Sequence, residues 1–429
     1  MPPFHYADGR LHCEEVPLEA IAREVGTPCY VYSHAALAAA YDAFDRAFGD
    51  HPHLICYACK ANGNLAVIRT LAARGAGADI VSGGELYRAQ AAGVPGARIV
   101  FSGVGKSDEE LAMALAAGIL CFNVESEAEL DALEAVAARL GRRAPVAIRV
   151  NPDVDPGSHP YVATGLAESK FGIPIERAIG VYRRALAQPH LDVVGLDCHI
   201  GSELTDLAPL ADALGKLRRL AIELRGLGVR LHHVDVGGGL AIAYREEERV
   251  PTPEAYARVV LGALGDLGLP IVLEPGRALV GPAGVLLTRV LYTKSGGARP
   301  GAPPKRFVIV DAAMTDLIRP SLYRAYHPIW PVRQPDRSAG PPLPVDVVGP
   351  VCESADFLAR DRALPPLERG ALLAVMQAGA YGFAMASTYN ARPRAAEVLV
   401  RGGAFAVVRQ RERYEDLVRG ETIPPFLEG

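Results

Sequence analysis

The sequence predicts an α/β plus β protein: a (β/α)8, TIM-like barrel with a C-terminal all-β domain of sandwich or barrel type. Three observations carry this reading. Short Val- and Ile-rich runs at 53–59, 78–81, 98–102, 119–124, 145–150, 192–199, 232–236 and 270–274 read as strands. Ala- and Leu-rich stretches with helical spacing lie between them, at 84–92, 107–117, 126–140, 175–187, 207–227 and 253–267. After Gly281 the alternation stops.

Strand–helix alternation implies parallel pairing through right-handed crossovers. Eight such units in roughly 230 residues is the size of a closed barrel. An open doubly wound sheet is the competing arrangement, and the count favours the barrel. Beyond Gly281, strands are expected at 285–294, 306–311, 344–348, 371–376 and 396–409. Gly/Pro-rich loops are expected at 295–305 and 331–344, with little helical periodicity anywhere. The domain expectation is therefore a barrel over 30–280 and a β domain over 281–429. Residues 1–29 could join the β domain, and the β-like stretch 28–32 fits either one.

Composition removes several function classes. The chain has 429 residues, 45 Lys plus Arg and 49 Asp plus Glu, for a net charge of −4. No cation surplus exists to neutralise phosphates, so a nucleic-acid partner is not expected. No apolar run reaches the roughly 18 residues of a membrane span. His5, Asp8, Arg10, Glu14 and Glu15 stand where an export signal needs an apolar core, so a cytoplasmic protein is expected. Seven cysteines, an odd number over a long chain, fit free thiols in a reducing compartment.

Chemistry in such a barrel sits where strands end and loops begin. The first strand ends in Tyr57-Ala58-Cys59-Lys60-Ala61-Asn62, and the second carries Asp79. The sixth ends in Cys198-His199-Ile200-Gly201-Ser202, the seventh in Asp235-Val236-Gly237-Gly238-Gly239, the eighth in Glu274-Pro275-Gly276-Arg277. Lys60 directly after an apolar strand is partly desolvated, which suits a nucleophilic, Schiff-base amine; a strand-end lysine reaching solvent is the alternative. Gly237, Gly238 and Gly239 let backbone N–H groups approach a phosphate, or form a tight turn. They are not a dinucleotide fingerprint, because Ile242 stands where the third glycine belongs. Glu274 and Arg277 could hold a ring nitrogen and an anion, or pair with each other. His199 fits a base, a metal ligand or a flat surface under a ring; no second ligand lies at metal spacing, and no metal is expected.

Two motifs are set aside. Gly105-Lys106-Ser107 resembles the end of a P-loop, but Val100 occupies the first glycine position, and Ser107 with Glu110 reads as a capping box. Cys56 and Cys59, three apart on an expected strand, would face opposite sides and could not share a metal. Two other segments stand out: the long connection 151–173, which contains His159-Pro160-Tyr161-Val162-Ala163-Thr164-Gly165 and Lys170-Phe171-Gly172-Ile173, and Gly349-Pro350-Val351-Cys352-Glu353-Ser354 in the β domain.

Taken together these segments resemble the fold-type III pyridoxal-phosphate decarboxylases over about residues 25–415. Tyr-Ala-x-Lys-Ala-Asn and Glu-Pro-Gly-Arg are shared with the ornithine and arginine branches. The His159 and Lys170 motifs, His199-Ile200-Gly201-Ser202 and Cys352-Glu353-Ser354 point to the diaminopimelate branch. The resemblance implies pyridoxal 5'-phosphate as cofactor, with Lys60 on its aldehyde and His199 stacked on its ring. It implies Ser202, Gly237, Gly238, Gly239 and the backbone of Glu274, Pro275, Gly276 and Arg277 around its phosphate. Glu274 would sit at the ring nitrogen; Asp79 also matches a family position. Cys352 would return a proton to Cα. Arg277, Arg319 and Tyr323 match carboxylate-binding positions, Glu353 the acceptor of the distal ammonium, and Tyr381 a residue near cofactor and substrate. The implied reaction is decarboxylation of meso-2,6-diaminopimelate to L-lysine and CO2, the last step of lysine biosynthesis, in a homodimer with shared active sites. Alternatives are a relative acting on another D-amino acid or a carrier-bound amino acid, an alanine-racemase-like enzyme, and an inactive regulatory homologue.

Overall fold

The computed structural model describes residues 2–155, 157, 165–166, 168–297, 304–335 and 340–427. Of the segment His159–Gly165, only Gly165 lies within the described residues. The chain forms two compact units, one of residues 36–281 and one of 1–35 with 282–429.

The first unit is a closed barrel of eight parallel strands: His53–Ala58, Gly77–Ile80, Ile99–Phe101, Cys121–Val124, Ala144–Asn151, Leu191–Asp197, His233–Asp235 and Ile271–Leu273. Each pairs with its successor, and the last closes on the first through Ile271 opposite His53. Closure leaves the eight barrel strands without free edges, and the two-residue strand Ile173–Pro174 adds beside the end of the fifth. Amphipathic helices return the chain between strands; Ser82, Ser126 and Thr252 each cap one through a side-chain oxygen. The Ser107–Glu110 capping box is present in full. Lys106, beside it, is buried against Glu129 at 2.6 Å and donates to the Gly103 and Asn123 carbonyls. It is a structural cation, with no phosphate-loop geometry around it.

The second unit is built of strands around the long strand Gly284–Ser295. Its first half pairs antiparallel with Cys29–Ser33 and Leu372–Val375, its second half with Arg306–Val310 across a register shift between Val290 and Tyr292. Cys29–Ser33 also pairs with Ala396–Arg401, so residues 30–35 fall outside the barrel. Glu14 ties the N-terminal segment to this unit, accepting from Ser33 Oγ, the Ala35 N–H and the Gly402 N–H. Leu11, Leu18, Ile21, Val31, Val285, Leu287, Ala374 and Val398 share one buried core.

Three readings need correction here. The stretch 396–409 is a hairpin of Ala396–Arg401 and Ala404–Arg409, turned at Gly402-Gly403, a two-residue turn that glycines favour. Phe357–Leu364 is a strand that the sequence hides, because Arg360, Asp361 and Arg362 break its apolar pattern on an outer strand. A short helix, Arg319–Tyr323, interrupts the β unit.

Candidate active site

The first barrel strand ends at Ala58, and a tight 3-10 turn, Cys59–Ala61, carries Lys60. The strand geometry assumed for Cys59 therefore does not hold. Its thiol is buried and pushed well up by that burial, as is the thiol of Cys56, and both are free. Lys60 Nζ donates to Asp79 Oδ2 at 2.5 Å. Asp79 is fully buried on the second strand, and its other oxygen, Oδ1, finds no hydrogen-bond partner among the described residues.

A layer of polar side chains fills the barrel beneath Lys60. Glu274, directly after the eighth strand, accepts from Ser102 Oγ at 3.1 Å and Asn123 Nδ2 at 3.4 Å. Asp197, Asp235 and Glu274, all buried, bring carboxylate oxygens within 4.8 Å of one another. Burial and mutual repulsion favour the protonated forms. Glu274 is pushed well above the carboxylate range by burial and then by Asp235, Asp79 and Asp197, with Lys60 opposing. Asp197 rises for the same reasons against Arg149, and burial raises Asp235 to about 7 despite the Gly237 N–H on its Oδ1. Arg149 is the buried cation of this layer: it pairs with Glu125 at 2.9 Å and donates to the His199 carbonyl at 3.4 Å.

His199 lies two residues beyond the sixth strand. Its Nδ1 accepts the Gly238 N–H at 3.2 Å, which leaves the proton on Nε2. Burial, then Arg149 and Lys60, hold its pKa well below the usual histidine value. The imidazole is therefore neutral with Nδ1 engaged, which favours the flat-surface reading over the base and the metal ligand.

The glycines after the seventh strand lie against the neighbouring loops. A Cβ on Gly238 would strike the Glu274 carbonyl oxygen, and one on Gly239, at φ 102°, the Gly201 carbonyl oxygen. Ser202 follows that loop and is half-buried. Pro275 accepts the Ala58 N–H at 3.2 Å, which fixes the Glu274–Arg277 stretch beside the Lys60 turn. Arg277 is buried and held by Tyr244 Oη at 2.9 Å and Glu203 Oε1 at 3.2 Å.

In the β unit, Arg319 opens the short helix that ends at Tyr323 and is 3% exposed. Its Nε donates to His327 Nε2 at 3.4 Å, and His327 Nδ1 donates to the Met376 carbonyl at 2.9 Å. Its guanidinium lies over the Tyr323 ring, 5.9 Å from the centroid. Cys352 and Glu353 are exposed, on the loop after strand Leu343–Val348. Tyr381 is half-buried with a left-handed backbone, φ 54°.

Residues 34–281 match the family described as pyridoxal-dependent decarboxylase, pyridoxal binding domain. The chain is 52% identical to the diaminopimelate decarboxylase of Pseudomonas aeruginosa and 51% identical to that of Vibrio cholerae, in each case over 99% of this chain and 100% of the relative. The chain belongs to the diaminopimelate decarboxylase family. A solved diaminopimelate decarboxylase from Helicobacter pylori, complexed with L-lysine, superposes with a TM-score of 0.88 at 44% identity, covering 94% of this chain and 98% of that one.

The barrel's own groups fit the cofactor of this family, pyridoxal 5'-phosphate. An amine is held by a buried carboxylate with an oxygen to spare; a floor of acids that burial keeps protonated can share a proton with a ring nitrogen; a glycine cradle that side chains would fill can take a phosphate. Ser102, Asn123, Glu125, Arg149 and Asp197, which build that floor, and Glu203, Tyr244 and His327, which hold the two arginines, were not singled out from the sequence, and Asp235 was noted at its strand end without a role. The signal was available for Asp197 and Asp235: each is the last residue of its strand, the end at which chemistry in such a barrel sits.

Proposed function

We infer that the chain decarboxylates meso-2,6-diaminopimelate to L-lysine and CO2 with pyridoxal 5'-phosphate. The observation that carries this reading is the Lys60–Asp79 pair at the mouth of a barrel whose residues 34–281 match the pyridoxal binding domain. Relatives of the same name along the full length support the substrate.

Bound pyridoxal phosphate supplies an electron sink for the pair left when the Cα–carboxylate bond breaks. The residues divide the remaining work. Lys60 would hold the cofactor through its amine, which Asp79 fixes in place. Glu274, supported by Ser102 and Asn123, would share its proton with the ring nitrogen. His199 gives the ring a neutral, flat support. Ser202, the backbone of Gly237, Gly238 and Gly239 and that of Glu274, Pro275, Gly276 and Arg277 bind the phosphate. Cys352 delivers the proton that replaces CO2 on Cα.

Substrate choice rests on the end that is kept. Diaminopimelate carries an amino-acid group there, which needs a carboxylate grip and an ammonium acceptor. Arg277, Arg319 and Tyr323 supply the grip, Glu353 the acceptor, with Tyr381 beside cofactor and substrate. A substrate ending in a bare ammonium would gain nothing from two arginines.

We further propose a homodimer in which the Cys352–Glu353 loop of one copy serves the barrel of the other. Seven free cysteines fit a cytoplasmic setting, and no helix among the described residues is long and apolar enough to cross a membrane. The test of function is CO2 release from meso-, LL- and DD-diaminopimelate, with lysine and ornithine as controls. Release from the meso isomer alone is expected; equal release from ornithine would overturn the assignment. Sedimentation that finds a fully active monomer would overturn the dimer.

A further inference from the structure

The loop that carries Cys352 is held from two directions. From within, the Asp356 carboxylate accepts the Met314 N–H and the Val351 N–H, each at 2.7 Å. The Glu353 N–H donates to the Val351 carbonyl at 2.8 Å, and Ser321 Oγ to the Ala355 carbonyl at 2.5 Å. These contacts fix the residues on both sides of Cys352. The Cys352 N–H takes a different partner: it donates to Asn390 Oδ1 at 2.9 Å, from a segment 38 residues further along the chain.

Asn390 presents that oxygen from an unusual backbone. It sits in the tight turn Tyr389–Ala391 at φ 56° and ψ 27°, and Ala391 follows at φ 54°. Two successive left-handed residues without glycine are uncommon, and asparagine tolerates this conformation better than most. Arg392, next in the chain, anchors the turn by donating to the Asp311 carbonyl at 2.8 Å. Strain of this kind persists where surrounding contacts over-determine it.

We propose that Asn390 is a positioning residue for Cys352: its left-handed turn aims a side-chain acceptor at the Cys352 N–H and so fixes the backbone from which the thiol projects. The proposal rests on the reading of Cys352 as the proton donor to Cα. It adds no chemistry of its own, because Asn390 acts only through the cysteine.

Two variants separate the acceptor from the backbone. Asn390→Gly keeps the left-handed turn and removes the acceptor; Asn390→Asp keeps both. Two readouts apply: kcat and KM with meso-diaminopimelate, and the rate at which iodoacetamide alkylates cofactor-free protein. The other six cysteines are buried, and Cys352 is exposed in the single chain and would face the vacant, substrate-accessible site of the cofactor-free dimer, so alkylation reports on Cys352. Asn390→Gly should lower kcat about tenfold, the size of one lost hydrogen bond, with KM near wild type and faster alkylation. Asn390→Asp should stay near wild type in both. Wild-type kcat and alkylation in Asn390→Gly would overturn the proposal. Cys352→Ser is the separate control. If it retains wild-type kcat, the reading of Cys352 fails and the catalytic half of the proposal with it, while alkylation of Asn390→Gly still decides the contact.

Discussion

Lys60 and Asp79 meet at 2.5 Å, a partly exposed ammonium on a fully buried carboxylate. The pair fixes the amine where the first strand turns and leaves Asp79 Oδ1 without a hydrogen-bond partner among the described residues. The two residues should therefore fail differently. Lys60→Ala should still take up pyridoxal phosphate, but borohydride should no longer fix the cofactor to the chain. Asp79→Asn should keep that covalent fixation and weaken cofactor binding about ten- to a hundredfold, the range for a lost charged hydrogen bond. Absorbance titration and mass spectrometry after borohydride read the two effects. Wild-type cofactor affinity in Asp79→Asn would reduce Asp79 to a local counter-ion.

Arg319 is buried, donates to His327 and lies over the Tyr323 ring, and it is one of the proposed grips on the substrate's retained carboxylate. Arg319→Ala should lower kcat/KM for meso-diaminopimelate about ten- to a hundredfold, as for a lost hydrogen bond to a charged group. The long-wavelength absorbance of the bound cofactor should not change. Arg319→Lys should recover little, because an ammonium cannot reproduce the planar fork. Parallel loss of activity and cofactor absorbance would remove Arg319 from the substrate site.

The barrel was legible because closure repeats one pattern eight times, and six of the eight apolar runs had a helical stretch behind them. Lys60, His199, Gly237 and Glu274 were legible because they sit at the ends of those runs. The supporting layer was harder to read. Ser102 and Asn123 are ordinary polar residues, and only the closed barrel brings both to Glu274 across separations of 172 and 151 residues. In the β unit the alternation rule failed at Phe357–Leu364, where three consecutive charged residues interrupt the strand. Asn390 carries no sequence signal; its contact with Cys352 comes from a backbone conformation.

Arg149 and Glu125 form a buried ion pair, with side chains 7% and 1% exposed. Glu125 also accepts the Gly103 N–H at 2.6 Å and the Gly172 N–H at 3.1 Å, so one carboxylate joins the loops after the third and fifth strands. Glu125→Ala strands the guanidinium and two N–H groups. It should cost about 3–5 kcal/mol of stability, as when one partner of a buried pair is removed. A Glu125→Leu, Arg149→Met double variant should recover much of that loss, because no charge is left stranded. Urea unfolding with an unchanged m value is the measurement. A single variant within about 1 kcal/mol of wild type would show the pair to be dispensable.

Asp235 gives the fold a pH dependence with a definite sign. The unfolded chain releases its proton near 3.8, whereas burial keeps it bound in the fold up to about 7. Across that window the native state holds a proton that the unfolded state lacks, so this contribution is full at low pH and is lost as pH rises. Burial acts oppositely on His233, whose pKa falls to about 4, so its effect destabilises the fold as pH falls. The two trends overlap in wild type, and Asp235→Asn separates them. Asparagine keeps an oxygen for the Gly237 N–H, which Asp235 Oδ1 accepts at 2.9 Å, and cannot ionise. Relative to that variant, cofactor-free wild type should lose thermal stability between about pH 5 and pH 7. Parallel Tm–pH curves for the two proteins would mean that Asp235 ionises at little cost, and that the acid-rich floor is wetter than its burial implies.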